Sequence, residues 1–214
     1  MYDIKTLFLL FLIYSFLGWL METIYCSIGS KKFADRGFLI GPICPIYGCG
    51  AVVMTIFFKK YLDDPLVLFI MAVVICSILE YITSFIMEKL FNTRWWDYSN
   101  RLFNINGRVC LSNAVCFGAL GIILLYFVNP FMVSLLGKIN EQVLSIICII
   151  FLILLLLDYI FSTIIISKFT KTVKLVRKDS SNDINKKVRE LLLSKSGFYK
   201  RLVKAFPNFS LSKK

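Results

Sequence analysis

Residues 41–50 read GPICPIYGCG. The stretch lies inside an apolar run from Phe38 to Phe58, yet it holds Pro42, Pro45 and three glycines, the residues least suited to an uninterrupted helix. An apolar run of that length has the reach of a membrane span, and irregular backbone at membrane depth is tolerated only where protein buries it or where it lines a watery cavity. The regular helix is expected to begin near Pro45, with Gly41 to Cys44 as irregular chain. Gly48 and Gly50 would let a neighbouring helix or a ligand come close. Two readings follow: breakers that shape a pocket, and a proline kink packed through glycines.

Composition decides the setting. Hydrophobic residues make up 58% of the 214, charged residues 18%, and the mean hydropathy is +0.75. That is too much apolar surface for one soluble domain of this size. Five windows meet the length of a spanning helix: Thr6 to Ile28, Phe38 to Phe58, Leu66 to Met87, Val109 to Val128 and Val143 to Ser167. The expected fold class is therefore all-α, a polytopic bundle of five transmembrane helices over residues 1–167, the second broken by proline and glycine. The first window lacks a basic flank and a small-residue cleavage pattern, so it is expected to be retained rather than removed as a signal peptide.

Lysine and arginine placement sets the expected orientation. With five spans and the tail inside, twenty-one basic residues fall on the inner side and four on the outer, which predicts an outer N-terminus and a cytoplasmic C-terminus. Residues 168–214 form a basic tail of net charge +11, nearly all of the formal +12 of the chain. In it Ile184, Val188, Leu191, Leu192, Tyr199, Leu202, Val203 and Phe206 recur at roughly helical spacing, with Ser181 or Asp183 as N-cap and Gly197 as a break. One or two amphipathic helices are expected there, with anionic lipid of the bilayer as the first partner and a protein as the second. Nucleic acid is not expected, because the membrane is the nearer anionic surface.

Several chemistries are excluded or disfavoured. The seven cysteines form no C-x-x-C pair and lie nearly all in apolar windows, as small buried hydrophobes do. The chain has no histidine, which removes the commonest general base and metal ligand. It has no G-x-x-x-x-G-K-[ST] loop, so any ATP hydrolysis belongs to another subunit. No cofactor and no metal site are expected, and an enzymatic role is disfavoured.

What remains is polar residues within the spans, which are costly in lipid and usually face a bundle interior or cavity. Glu22 lies late in the first window. Ser77, Glu80, Ser84 and Glu88 share one face of the third by their three- and four-residue spacing. Arg108, Ser112 and Asn113 open the fourth, and Asp158 with Ser162 one turn on lies in the fifth. Odd helices run inward and even helices outward, so all of these groups, with Pro42, Pro45 and Tyr47, are expected in the cytoplasmic half. The connection after the third span adds Arg94, Trp95, Trp96, Asp97, Tyr98, Arg101 and Arg108. Arginines beside tryptophans suit a phosphate or carboxylate headgroup, while interfacial tryptophans also serve as plain membrane anchors.

The ordered runs FLGWLMETIYCSI (16–28), RGFLIGPICPIYGCGA (36–51), SILEYITSFIMEKLFNTRWWDYS (77–99) and NINGRVCLSNAVCFGALG (104–121) resemble the bacterial CmpB-like family of type IV ABC-transporter permeases. The resemblance covers roughly Leu7 to Ser167 and leaves out the basic tail. It implies a multi-pass permease component in a bacterial cell membrane, working with separate ATPase subunits. It carries no assigned catalytic or binding residues to these positions.

Three function classes stand beside one another. A transport subunit would use Glu22, Glu80 and Asp158 to line a cytoplasm-facing cavity, with Arg94, Arg101 and Arg108 attracting an anionic or amphiphilic solute. Its five spans are few for a lone carrier, so a homo-oligomer or partners are expected. An intramembrane enzyme would use Glu80 or Glu22 as acid or base on a lipid or isoprenoid, with Asp97 and Glu88 available for a metal. A regulatory or structural subunit would simply pair its carboxylates with Arg108 and Lys89. The topology is checked by single-cysteine accessibility in intact cells: a label at Lys138 is expected to react from outside and one in the tail only after permeabilisation. Equal reactivity at both positions would overturn the orientation.

Overall fold

A computed structural model describes residues 2–31, 33–178, 197–205 and 210–211. Helix α1 spans Ile4–Ser30, α2 Pro45–Phe57, α3 Pro65–Phe91, α4 Leu111–Ile123, α5 Asn129–Leu136, α6 Glu141–Lys178 and α7 Gly197–Ala205. Local chemistry explains the helix ends. Asp64 accepts from the amides of Leu66 and Val67 at 3.1 Å ahead of Pro65, which opens α3, and Asn92 closes α3 in the left-handed conformation. A π-helical turn, Leu124–Val128, joins α4 to α5 directly ahead of Pro130. Proline has no amide to give and crowds the preceding turn, and the widened turn lets the helix continue past it. The fourth helix therefore runs from Leu111 to Leu136 and does not stop at Val128 as the sequence suggested.

Among the described residues, four helices are long and apolar enough to cross a membrane: Ile4–Gly29, Pro65–Phe91, Leu111–Leu136 and Glu141–Lys168. The exception is α2. Its 13 residues reach about 20 Å, short of the roughly 30 Å of a hydrocarbon core. Its first residue is Pro45, and Cys44 just before it donates its amide to the carbonyl of Ser15 at 2.9 Å. Ser15 lies halfway along α1, so the chain from residue 33 to 44 runs back beside α1 without helical structure before α2 begins. The helical part of the Phe38 to Phe58 window is thus its second half.

Small residues set the helix pairs. Gly48 of α2 lies against Ser15 and Phe11 of α1, while a methyl group on Gly118 of α4 would come 2.7 Å from Phe69 and Val73 of α3. Such positions let backbones approach closely where dispersion, and not water exclusion, drives association. Leu9, Leu10, Tyr14, Ala51, Leu136 and Leu144 form one buried cluster, and Met54, Phe58, Leu68, Ala72 and Leu125 another. The outward surface is apolar too: Ile146, Ile149, Leu152, Ile153 and Leu156 of α6 are all exposed, as a lipid-facing helix requires.

The pairs also give direction. Lys5 and Glu141 meet at 3.0 Å, so α1 and α6 start at the same end of the bundle. Tyr47 stacks over Gly18 and Ala51 joins Leu9 and Leu10, so α2 runs antiparallel to α1. The contacts of Gly118 and of Arg108 with Ser84 make α4 antiparallel to α3. At the end opposite Lys5 and Glu141, the C-terminal segment returns. Strand β1, Thr93–Arg94, pairs antiparallel with β2, Ser210–Leu211. Arg201 of α7 binds Asp35 at 2.6 Å and the Leu39 carbonyl at 2.6 Å, and Leu202 and Ala205 are buried. Gly197, expected as a break, is the first residue of α7. The expected tail positions Ser181, Asp183, Ile184, Val188, Leu191, Leu192 and Phe206 lie outside the described residues.

Replacing Arg201 by Ala removes the ion pair with Asp35 and the hydrogen bond to the Leu39 carbonyl. Amide hydrogen exchange of residues 202–205 and of Thr93–Arg94 is expected to accelerate about tenfold or more. Unchanged exchange at both places would show that α7 is held by something else.

Candidate functional site

The irregular segment solves its backbone problem through one acid. Asp158 of α6 accepts from the Ile40 amide through Oδ1 and from the Gly41 amide through Oδ2, both at 2.9 Å. Ser162, one turn on, donates to Asp158 Oδ1 at 2.9 Å and accepts from the Ile40 amide at 3.0 Å. The Ile43 amide turns back to the Gly41 carbonyl at 2.8 Å. Each would otherwise be an orphan donor at membrane depth, costing several kcal/mol. Asp158 thus serves the fold, as a clamp on the chain. Pro42 is exposed at the turn of this segment and Pro45 opens α2. Phe38, Ile40, Ser162, Ile166, Phe198 and Leu202 line a cavity of about 10 Å³, room for roughly one water.

The next carboxylate inward is Glu22 of α1. It binds Arg36 through Oε1, with Nη2 at 3.0 Å and Nε at 3.3 Å, and the Arg36 amide donates to Thr23. The neighbouring Asp35 accepts from the Trp19 indole at 3.1 Å as well as from Arg201. In the sequence Arg36 counts only among the basic loop residues that set orientation, and Asp35 carries no reading. Their pairing became visible only when the loop folded back on α1.

A second ionic group joins the end of α3 to the long connection. Arg108 is buried, places Nη2 2.7 Å from Glu88 and donates from Nη1 to Ser84 at 3.1 Å. Its guanidinium also lies over the rings of Tyr81 and Phe85, at 5.6 and 5.5 Å from their centroids. Arg94 reaches Glu88 at 3.4 Å, Asp97 at 3.5 Å and the Asn106 carbonyl at 3.0 Å. Burial disfavours the Asp97 carboxylate slightly; hydrogen bonds from Ser99 and the Arg94 charge outweigh it and hold this carboxyl below the usual range. Trp96 donates its indole N–H to the Arg108 carbonyl at 3.0 Å, while Trp95 is buried with Phe38 and Phe91. Both tryptophans therefore pack within the protein. Arg101 is exposed, and its carbonyl accepts from Asn104.

Glu80 stands between these groups. It is 5% exposed, and its Oε1 accepts from the Tyr98 hydroxyl at 3.3 Å. Burial and then the adjacent Glu80 carboxyl push the Tyr98 phenol well above its ordinary range, so it stays a neutral donor. Asn113 of α4 approaches the same carboxyl, and Glu22 and Tyr47 lie within electrostatic range. Tyr47 itself is wedged between Gly18 and the Phe117 ring, whose centroid is 6.1 Å away. Fourteen of the sixteen candidate residues are thus knit into one end of the bundle; Pro42 and Arg101 lie exposed at its edge. The described residues contain no group of three potential metal ligands, including around Glu88 and Asp97.

A polar knot at the other half of the bundle escaped the sequence reading. Tyr14 donates to Asn129 Oδ1 at 2.9 Å and Thr55 donates to the same oxygen at 3.3 Å. The signal was an amide in an apolar run, obscured because Asn129-Pro130 reads as a span end.

Asp158→Ala deletes the hydrogen bonds from the Ile40 and Gly41 amides and strands the Gly41 amide, Ile40 keeping Ser162, and is expected to cost about 2 kcal/mol or more. The check is the thermal midpoint of the purified protein in detergent. Gly41→Ala should act in the same direction, because its methyl would sit 2.8 Å from Asp158 Oδ2. A midpoint unchanged in both variants would show that Asp158 does not hold the segment.

No curated protein and no solved structure matches the chain. The family model described as "Putative ABC-transporter type IV" matches residues 9–163, from the second turn of α1 through Asp158 and Ser162. The match includes every candidate site residue and ends before the basic tail. With well over half of its length matched and four helices fit to cross a bilayer, this membrane protein belongs to that type IV ABC-transporter family.

Proposed function

We propose that the chain is the membrane-embedded permease subunit of an ABC-type transporter. It crosses the membrane five times, with its N-terminus outside and its C-terminal segment in the cytoplasm, and the fifth crossing is made by the irregular chain 33–44 together with α2. The observation that carries this reading is the gathering of the clamped segment, Glu22, Glu80, Tyr98 and the Arg94–Glu88–Arg108 group at one end of the bundle. Irregular backbone and ionisable side chains at membrane depth recur where transporters bind and move their cargo.

The chain carries no phosphate-binding loop, so the motor is a separate subunit that docks on the cytoplasmic end. A homo-oligomer or that partner completes the path, and the basic tail lies close to anionic lipid. The arginines contribute by holding the connection in place and only indirectly by attracting solute, since Arg36, Arg94 and Arg108 each face a carboxylate. Opening of the site would begin where these pairs separate.

Cross-linking in native membranes, followed by purification, is expected to yield this chain bound to a nucleotide-binding subunit. ATP hydrolysis by the reconstituted pair should fall about fivefold to a hundredfold with Glu22→Gln, the range of ordinary intersite coupling. If no nucleotide-binding subunit is recovered and vesicles containing the chain show no ATP-dependent flux, the permease reading fails.

A further inference from the structure

We propose that Glu80 is a proton-binding site, a carboxyl group that holds an exchangeable proton in the resting packing and trades it with water when the Tyr98 connection moves. The inference rests on the surroundings of Glu80 and is independent of the permease reading.

Glu80 is covered to all but 5% of its surface, and Oε2 makes no hydrogen bond among the described residues. Oε1 has the Tyr98 hydroxyl at 3.3 Å. No lysine or arginine forms an ion pair with this carboxyl among the described residues, in contrast to Glu22 and Glu88. An ionised carboxylate so placed would leave a full charge without a counter-charge or full solvation, which is far costlier than a neutral acid with one unpaired hydroxyl. Glu80 is not among the residues lining the cavity at Phe38 and Ile40, and a proton is a ligand that a carboxyl so covered can take without added volume.

The groups facing it agree in sign. From α1 comes Glu22, whose charge is already met by Arg36. Cys44 and Tyr47 face this cluster from the start of α2, and Cys76 is one turn back on α3. The connection contributes Tyr98 and Cys110, and α4 contributes Asn113. One turn further along α3, Ser84 binds Arg108, but that guanidinium is committed to Glu88. Among the described residues, no lysine or arginine of these elements forms an ion pair with Glu80.

The connection supplies the gate. The Tyr98 backbone amide donates a hydrogen bond to the Gly107 carbonyl at 2.8 Å, in a loop with Phe103, Asn106 and Gly107 at positive φ. When Tyr98 withdraws, water reaches the carboxyl, the Oε2–H bond breaks, the proton passes to water, and the carboxylate is left solvated. Return of Tyr98 requires a proton to be taken up again.

The test is infrared spectroscopy of the full-length protein in lipid nanodiscs at neutral pH. A protonated-carboxyl C=O band is expected, lost in Glu80→Gln and moved to higher frequency in Tyr98→Phe, which removes the hydrogen bond to Oε1. Lack of the band in the wild-type protein, or its persistence unchanged in Glu80→Gln, would overturn the proposal. If the Gln variant does not fold, the Tyr98→Phe shift decides: a wild-type band that does not move belongs to another residue, and the proposal falls. Nucleotide-dependent flux plays no part in this measurement, so the permease reading and the proton site stand or fall separately.

Discussion

The contact between Asp158 and the amides of Ile40 and Gly41 is the constraint on which the polar end depends. Lipid offers no hydrogen bonds, so irregular chain can lie deep in the bundle only if the protein supplies a partner for each exposed amide. One carboxylate, one serine and the Ser15 carbonyl do so here for Ile40, Gly41 and Cys44. With the segment held, α2 starts at the mid-depth of α1 and Gly48 can reach Ser15. The same fold-back brings Arg36 to Glu22 and Phe38 to the end of α3. An acid in an apolar helix is expensive, and here the expense is recovered as architecture.

Around that clamp the charges sort themselves. Glu22 has Arg36, Glu88 has Arg108 and Arg94, and Asp35 has Arg201. Removing one member of such a partly buried pair leaves the other stranded, so the pairs specify the arrangement more than they stabilise it. Glu80 is the exception, with a tyrosine where the others have a guanidinium. That difference gives it separate chemistry from its neighbours although all of them lie at the same end. The returning segment with Arg201 closes over this end from outside the spans, attached by an ion pair and a two-residue strand.

Much of this was legible in the residues. The Pro45 start of α2 and the gathering of Glu22, Glu80, Arg108 and Asp158 at one end follow from breaker chemistry and from alternating helix direction. The partners were less visible. Arg36 counted only as a loop charge, Trp95 and Trp96 suggested lipid anchors or ligand contacts, and Arg94 and Arg108 suggested an anion. Each turned inward because the loop's own hydrogen bonds, such as Trp96 to the Arg108 carbonyl, compete with the membrane surface for the same side chains. Pro130 misled in the other direction: a π-helical turn absorbs it, so the helix does not end there.

The sequence by itself determined that this is a membrane protein, which stretches are apolar enough to cross, and where helical backbone must give way. Those properties are local sums of transfer free energy and backbone sterics, additive along the chain. Only the tertiary structure decided which acid is a clamp, which is a salt-bridge partner and which is left with a tyrosine. Asp158 and Glu80 are both carboxylates in apolar helices, and what separates them is whether amides or a phenol stand opposite, a matter of distances between residues far apart in the chain.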